Sequence, residues 1–325
     1  MRLISCFCLL VFVFTLSGCV SNELAITPVR TETDFLSPSQ TNQIATVTST
    51  ASPTETPLPP STPTAVPTLP VDKAEATLLN LLATNNGCRL PCLWGIIPGK
   101  STYEEAEAIL APLSGISALT DFRSEGGAIF PVYTDGDLRL SMVIGFNIDP
   151  LSDNQIVSRI GFRVEARRPI EQGVSEDVYD STFFGDRVSA YMLPQILSEQ
   201  GIPESVMIAT LGGLSTRSGP GRFYILLLYP NYGILVNYTT QMFLVGTNVR
   251  GCPSNAHVEM EVYPSGQGDS FFQLLEQTDW SVKKNWYKPL DEATSISVEE
   301  FYQVFREPTD KCIETPANLW PIPEP

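Results

Sequence analysis

Histidine is almost missing from this chain: His257 is the only one in 325 residues. That excludes multi-histidine metal sites and leaves few ways to build a histidine-based triad. Cationic side chains are also scarce, 20 Lys and Arg against 36 Asp and Glu, for a net charge of -16. So acidic a surface repels phosphate backbones, and the sequence predicts no nucleic-acid partner. No phosphate-binding glycine loop, dinucleotide fingerprint, Gly-x-Ser-x-Gly or His-Glu-x-x-His element occurs. Gly212-Gly213 and Gly219-Pro220-Gly221 fall in a loop between strands, without the strand and helix that a phosphate cradle needs.

What is present begins with an address. Met1-Arg2 leads into an apolar run through Leu9, Leu10, Val11, Phe12, Val13 and Phe14. One basic residue and then about a dozen apolar ones is the pattern of a secretory signal, and is short of the ~20 residues of a membrane-spanning helix. The run closes on Leu16-Ser17-Gly18-Cys19. This segment resembles the lipobox of bacterial lipoproteins. The resemblance implies removal of residues 1–18 and attachment of a diacylglyceryl group, with further acylation, at Cys19. One acyl chain holds a protein only marginally, whereas two or more anchor it. Cys6 and Cys8 would leave with the signal. The alternatives are an ordinary cleaved signal or an uncleaved anchor.

Residues 19–70 read as a tether. The stretch from Thr46 to Thr64 is dominated by Thr, Pro and Ser. Such a segment lacks the apolar surface to offset the entropy of ordering. A stalk of about 50 residues spans ~40 Å as a coil and ~150 Å as an extended polyproline rod.

The globular region is expected over 71–325, in the α+β class. Ala74, Leu78, Leu79, Leu81 and Leu82 form a helical stripe ended by Asn85-Asn86-Gly87. Ser101 and Glu104 stand at capping-box spacing before a second helix that Pro112 stops. The period then changes to two. Leu138, Leu140, Met142 and Ile144 alternate with partly polar neighbours after the hairpin turn Asp135-Gly136, and Ile156 to Val164 predicts the next strand. Pro194, Ile196 and Leu197 mark another helix, with Gly201 and Pro203 past its end. Strands are predicted over Ser205–Leu211, Phe223–Tyr229 and Ile234–Thr239, then around Val258, Met260 and Val262. A C-terminal helical extension, 265–325, carries helices at Ser270–Gln277 and Val298–Phe305, the latter with Ser297 and Glu300 at capping-box spacing.

A helix followed by antiparallel strands thus occurs twice, which predicts a tandem duplication covering 95–165 and 184–264. Gly95-Ile96-Ile97-Pro98-Gly99-Lys100-Ser101 and Leu193-Pro194-Gln195-Ile196-Leu197-Ser198-Glu199-Gln200-Gly201-Ile202-Pro203 are similar to pieces of the small αβ repeat of β-lactamase-inhibitor-protein-like and outer-membrane-assembly lipoproteins. That resemblance implies a protein-binding or assembly role without catalysis.

Four cysteines remain in the globular region: Cys88, Cys92, Cys252 and Cys312. An even count in an exported chain predicts two disulfides. Three connectivities are open, and Cys88–Cys92 with Cys252–Cys312 is the favoured one. A four-thiolate zinc site is the alternative, disfavoured by the distance between Cys252 and Cys312 in sequence. The three residues between Cys88 and Cys92 also depart from the two of a redox-active pair.

Other candidates each have a plain structural use. His257 sits in an alternating strand and is expected at an edge or in solvent. Glu104 and Glu105 occupy a helix's first turn, where acids suit the dipole. Asp135 and Asp137 could touch a calcium ion but more simply make a hairpin turn. Trp94, Trp280, Trp286 and Trp320 could build a sugar-binding platform or fill a core. The sequence therefore assigns no catalytic, cofactor-binding or metal-ligating residue, only lipidation at Cys19 and the four disulfide cysteines. It predicts a lipid-anchored extracytoplasmic module that meets the membrane through its anchor and another envelope protein through its body. The alternatives are a cell-wall carbohydrate- or ligand-binding domain and a carboxylate-based hydrolase. A line of exposed aromatics would favour sugar, two facing carboxylates in a closed pocket hydrolysis, and a bare sheet face a protein partner.

Overall fold

The computed structural model describes residues 67–117, 119–122, 125–170, 175–179, 181–211, 221–266 and 286–320. The chain divides into two units, 1–61 and 62–325, and every described residue belongs to the second. The helix expected at Ser270–Gln277, the loop at 212–220, the tail at 321–325 and everything up to Cys19 and beyond it to residue 66 lie outside the described residues.

The chain opens with helix α1 (Val71–Thr84), which buries Ala74, Leu78, Leu81 and Leu82 and turns left-handed at Asn85. Helix α2 (Tyr103–Leu110) follows. Its capping box is Thr102 with Glu105, not Ser101 with Glu104. The Ser101 hydroxyl instead accepts from the Ile97 N–H at 3.0 Å, closing the turn before the helix. Five strands come next: β1 (Leu119–Phe122), β2 (Gly126–Ile129), β3 (Val132–Asp135), β4 (Leu138–Ile148) and β5 (Val157–Pro169). After the short β6 (Ser175–Asp177) and helices α3 (Ser181–Gly185) and α4 (Leu193–Gln200), the chain returns to sheet. The strands here are β7 (Ser205–Leu211), β8 (Arg222–Tyr229), β9 (Ile234–Val245), β10 (Asn248–Gly251) and β11 (His257–Val262).

The C-terminal region is not purely helical. It contributes β12 (Lys288–Pro289) and β13 (Ile313–Pro316) around α5 (Leu290–Ala293) and α6 (Val298–Phe305). Helix α6 does start at the expected Ser297–Glu300 capping box. A pattern of two or four strand residues is too short to carry a period, which is why these strands escape a sequence reading.

All the described strands join one antiparallel sheet with the central order β1-β2-β4-β5-β11-β9-β8-β7-β12. The last long strand of the first half, β5, pairs with the last strand of the second, β11, from Ile160↔Val262 to Val164↔Val258. Alternate residues of each strand point to one face. On that face Met142, Ile144, Ile160, Phe162, Val164, Met260, Val236, Tyr238, Ile225 and Leu227 meet Leu78 and Leu82 of α1, Leu110 of α2, Ile196 of α4 and Phe301 of α6 in one continuous core. Among the described residues no helix is long and apolar enough to cross a membrane.

Candidate functional site

With the helices on one face, the other face of the sheet is where a site can form, and its two halves differ. Over β7, β8 and β9 it is apolar: Ala209, Leu226, Leu228 and Leu235 are buried under Tyr263 and Tyr287. Over β2, β4, β5 and β11 the same face carries a trough of about 500 Å³. Its floor is the row Ala128↔Gly145↔Gly161, in which the two glycines are direct strand partners. One wall is Asn147 and Arg159, the other Val143 and Arg163. Glu261 closes the row at β11, facing Gly161 in register, with Arg159 3.7 Å away and the Tyr263 hydroxyl donating to it.

The glycines explain the trough. A Cβ at Gly145 would stand 3.3 Å from the Ala128 methyl, so that position is tight. A Cβ at Gly161 would meet nothing within 4 Å. A glycine in mid-strand costs about 0.5–1 kcal/mol relative to alanine and leaves backbone open to a close approach. Among the described residues no packing contact requires that cost at Gly161.

Beside the trough, at the join between the two halves, lies a more enclosed polar cavity of about 110 Å³. Its walls are ion pairs. Arg222 Nη2 is 2.7 Å from Asp177, and the Arg163 guanidinium bonds Glu259. Glu165, also in the wall, holds Arg167 Nη2 at 2.5 Å. Burial works against the Arg163 charge, but Glu259 outweighs it and holds the guanidinium above its ordinary value. Tyr179 closes one side with its buried hydroxyl unpartnered among the described residues, and burial pushes that phenol well up. Each wall carboxylate already faces a guanidinium. The arrangement fixes charges in place for recognition and sets no carboxylate apart opposite another.

His257 is at the same join, and it is buried, not at an edge or in solvent: 4 % of it is exposed. Two strands share one edge of β5 end to end, β11 along Ile160–Val164 and β6 along Arg167–Pro169. Between them the Ala166 N–H donates to His257 Nε2 at 3.3 Å, and the Val178 carbonyl stands 3.1 Å from the same nitrogen. The ring stacks on Tyr179 and Phe184 at 4.5 and 5.4 Å between centroids. Burial holds its pKa below the ordinary value, against the pull of the Val178 carbonyl, Asp177 and Glu165. The alternation read correctly as a strand, but β6 and Tyr179 reach His257 from 79 residues away or nearly so, and no local pattern announces that cover.

The remaining predicted residues are dispersed. Cys88 joins Cys92, and Cys252 joins Cys312 across 60 residues, and none of the four lines the trough. The Cys88–Cys92 loop is organised by Asn85, whose amide donates to the Cys88 and Cys92 carbonyls at 2.7 and 2.9 Å. Its Oδ1 accepts from the Trp94 N–H and the Tyr191 hydroxyl. The sequence marked Asn85 only as a helix end. Asp135 bonds Arg187 and Asp137 bonds Arg168, which accounts for both without an ion. Glu104 and Glu105 lie in the first turn of α2. Trp94 and Trp320 are buried, and Trp286 lines the polar cavity half-exposed, so these three make no common platform; Trp280 lies outside the described residues. Among the described residues no three His, Cys, Asp or Glu side chains gather closely enough to hold a metal ion.

Comparison with known protein families, curated proteins and solved structures yields no match.

Proposed function

We propose that this chain is an extracytoplasmic lipoprotein, anchored at Cys19 and carried on the 19–70 tether, whose body binds another envelope protein on the open half of its sheet. The observation that carries the binding reading is Gly161: a Cβ there would meet nothing within 4 Å among the described residues, yet the strand keeps its backbone bare at the floor of a walled trough. A second protein's chain or aromatic side chain laid against that floor explains the glycine. The fixed Arg–Glu pairs along the walls supply orientation more than affinity. The two-part strand order, in which β5 and β11 meet in the middle of the sheet, supports descent of 95–165 and 184–264 from one duplicated αβ unit.

The test uses a photo-crosslinking amino acid at Val143 on the trough wall, with Leu151, 92 % exposed and outside the trough, as control. A discrete adduct from Val143 that disappears when Gly161→Trp fills the floor is the expected result. No adduct, or one indifferent to Gly161→Trp, would overturn the reading. The anchor is tested separately: Cys19→Ser should move the protein to the soluble fraction, and continued membrane retention would defeat lipidation.

A further inference from the structure

The polar cavity at the join differs from the trough in size and in charge. It holds about 110 Å³ against about 500 Å³. Small side chains make the room: Ala209 and Thr239 flank Tyr224 in register across β7, β8 and β9. Tyr287, whose hydroxyl donates to Asn237 Oδ1 at 3.4 Å, lines the same space with Trp286. Size restricts the ligand. Benzene, with six non-hydrogen atoms, occupies a cavity of ~150 Å³, so ~110 Å³ suits about four or five. A sugar ring, a nucleobase or a long amino-acid side chain is too large.

Charge restricts it further. Three pairs meet at the cavity wall, Arg163–Glu259, Arg167–Glu165 and Arg222–Asp177, and their charges sum to zero. His257, also in the wall, stays neutral at pH 7 because burial lowers its pKa. A ligand of net charge would therefore leave one charge unmatched in a partly buried site. Both signs remain available to a ligand. Pairing leaves the Arg163 and Arg222 side chains 43 and 48 % exposed, and Glu259 and Asp177 24 and 19 %. A guanidinium has five N–H donors and a carboxylate about four acceptor sites, more than one pair uses. Arg222 also lies close enough to oppose the Arg163 charge, which favours an anionic group between them. A neutral polyol would satisfy such groups, but only a ligand carrying both signs makes charge-assisted bonds at both ends.

We propose that this cavity binds a small zwitterion the size of free glycine, its carboxylate on Arg163 and Arg222 and its ammonium on Asp177 and Glu259. The single methylene packs against the tyrosines that line the space. The inference needs neither the anchor nor a protein partner, so it stands or falls apart from the function proposed above.

Equilibrium dialysis of radiolabelled glycine against the full chain carrying Cys19→Ser tests it. One glycine per chain should bind, with a Kd of about 10 µM to 1 mM, the range open to so few atoms. Acetate, methylammonium, glycerol and leucine should each compete about tenfold or more weakly than unlabelled glycine. Arg222→Gln removes one guanidinium and leaves the wall net negative. Glycine should then weaken about tenfold or more, while methylammonium binds better than in the parent. Asp177→Asn should weaken glycine likewise and improve acetate instead. A loss of stability would not turn the preference in opposite directions. No saturable binding up to about 10 mM glycine overturns the inference. So does glycerol or leucine competing as well as glycine, or a loss of glycine in both variants with no gain of the matching ion.

Discussion

One face of a single sheet is used in two ways. Over β7, β8 and β9 it is a small second core, with Leu226, Leu228 and Leu235 under Tyr263 and Tyr287. Over β4, β5 and β11 it is an open trough walled by Arg159 and Arg163, with Gly145 and Gly161 on its floor. Both halves share one backbone ladder, so the difference lies wholly in side chains. The covered half gains from burial, whereas the open half gives up strand propensity at Gly161 with no contact there among the described residues. On the function proposed above, the open half is shaped for something outside it.

The largest expected effect separates the halves by stability. Leu235→Ala, in the covered half, should cost about 2–5 kcal/mol in urea unfolding, because the side chain is fully buried and its removal leaves a cavity. Val143→Ala, on the trough wall, should stay within about 0.5 kcal/mol. Equal losses would erase the distinction.

The join between the halves comes next. His257→Leu removes the acceptor for the Ala166 N–H and should cost about 1–3 kcal/mol at neutral pH. The pH dependence follows from its direction of shift. Burial holds the folded imidazole below its usual value, so as pH falls through about 6.5 the unfolded chain takes up a proton that the folded chain refuses. Stability from this group is therefore full above that range and is lost on acidification until the folded value is passed. With no other histidine in the chain, unfolding midpoints compared at pH 7.5 and 5.5 should fall less in His257→Leu than in the parent. An identical fall would mean that the ring is not what the acid reaches.

The same contrast marks what the sequence could tell. Periods within one element were readable: the alternation in β4 and β11, the stripe of α1, the capping box at Ser297 and Glu300. At α2 two hydroxyl residues adjoin and so do two glutamates, so the same spacing fits twice and only the folded turn selects Thr102 with Glu105. Contacts between distant segments were not readable. The burial of His257 depends on Val178 and Phe184, the loop at Cys88 on an amide at Asn85 and a hydroxyl at Tyr191, and the trough on which strands lie side by side. Gly145 and Gly161 are ordinary strand glycines until the register sets them face to face.

The smallest effect is also the most direct test. Gly161→Thr puts a good strand former where the fold leaves open space, and its unfolding free energy should rise by about 0.5–1 kcal/mol over the parent. A loss of about 1 kcal/mol or more would show that the glycine serves this chain's own packing, and would contradict a face kept bare for a partner.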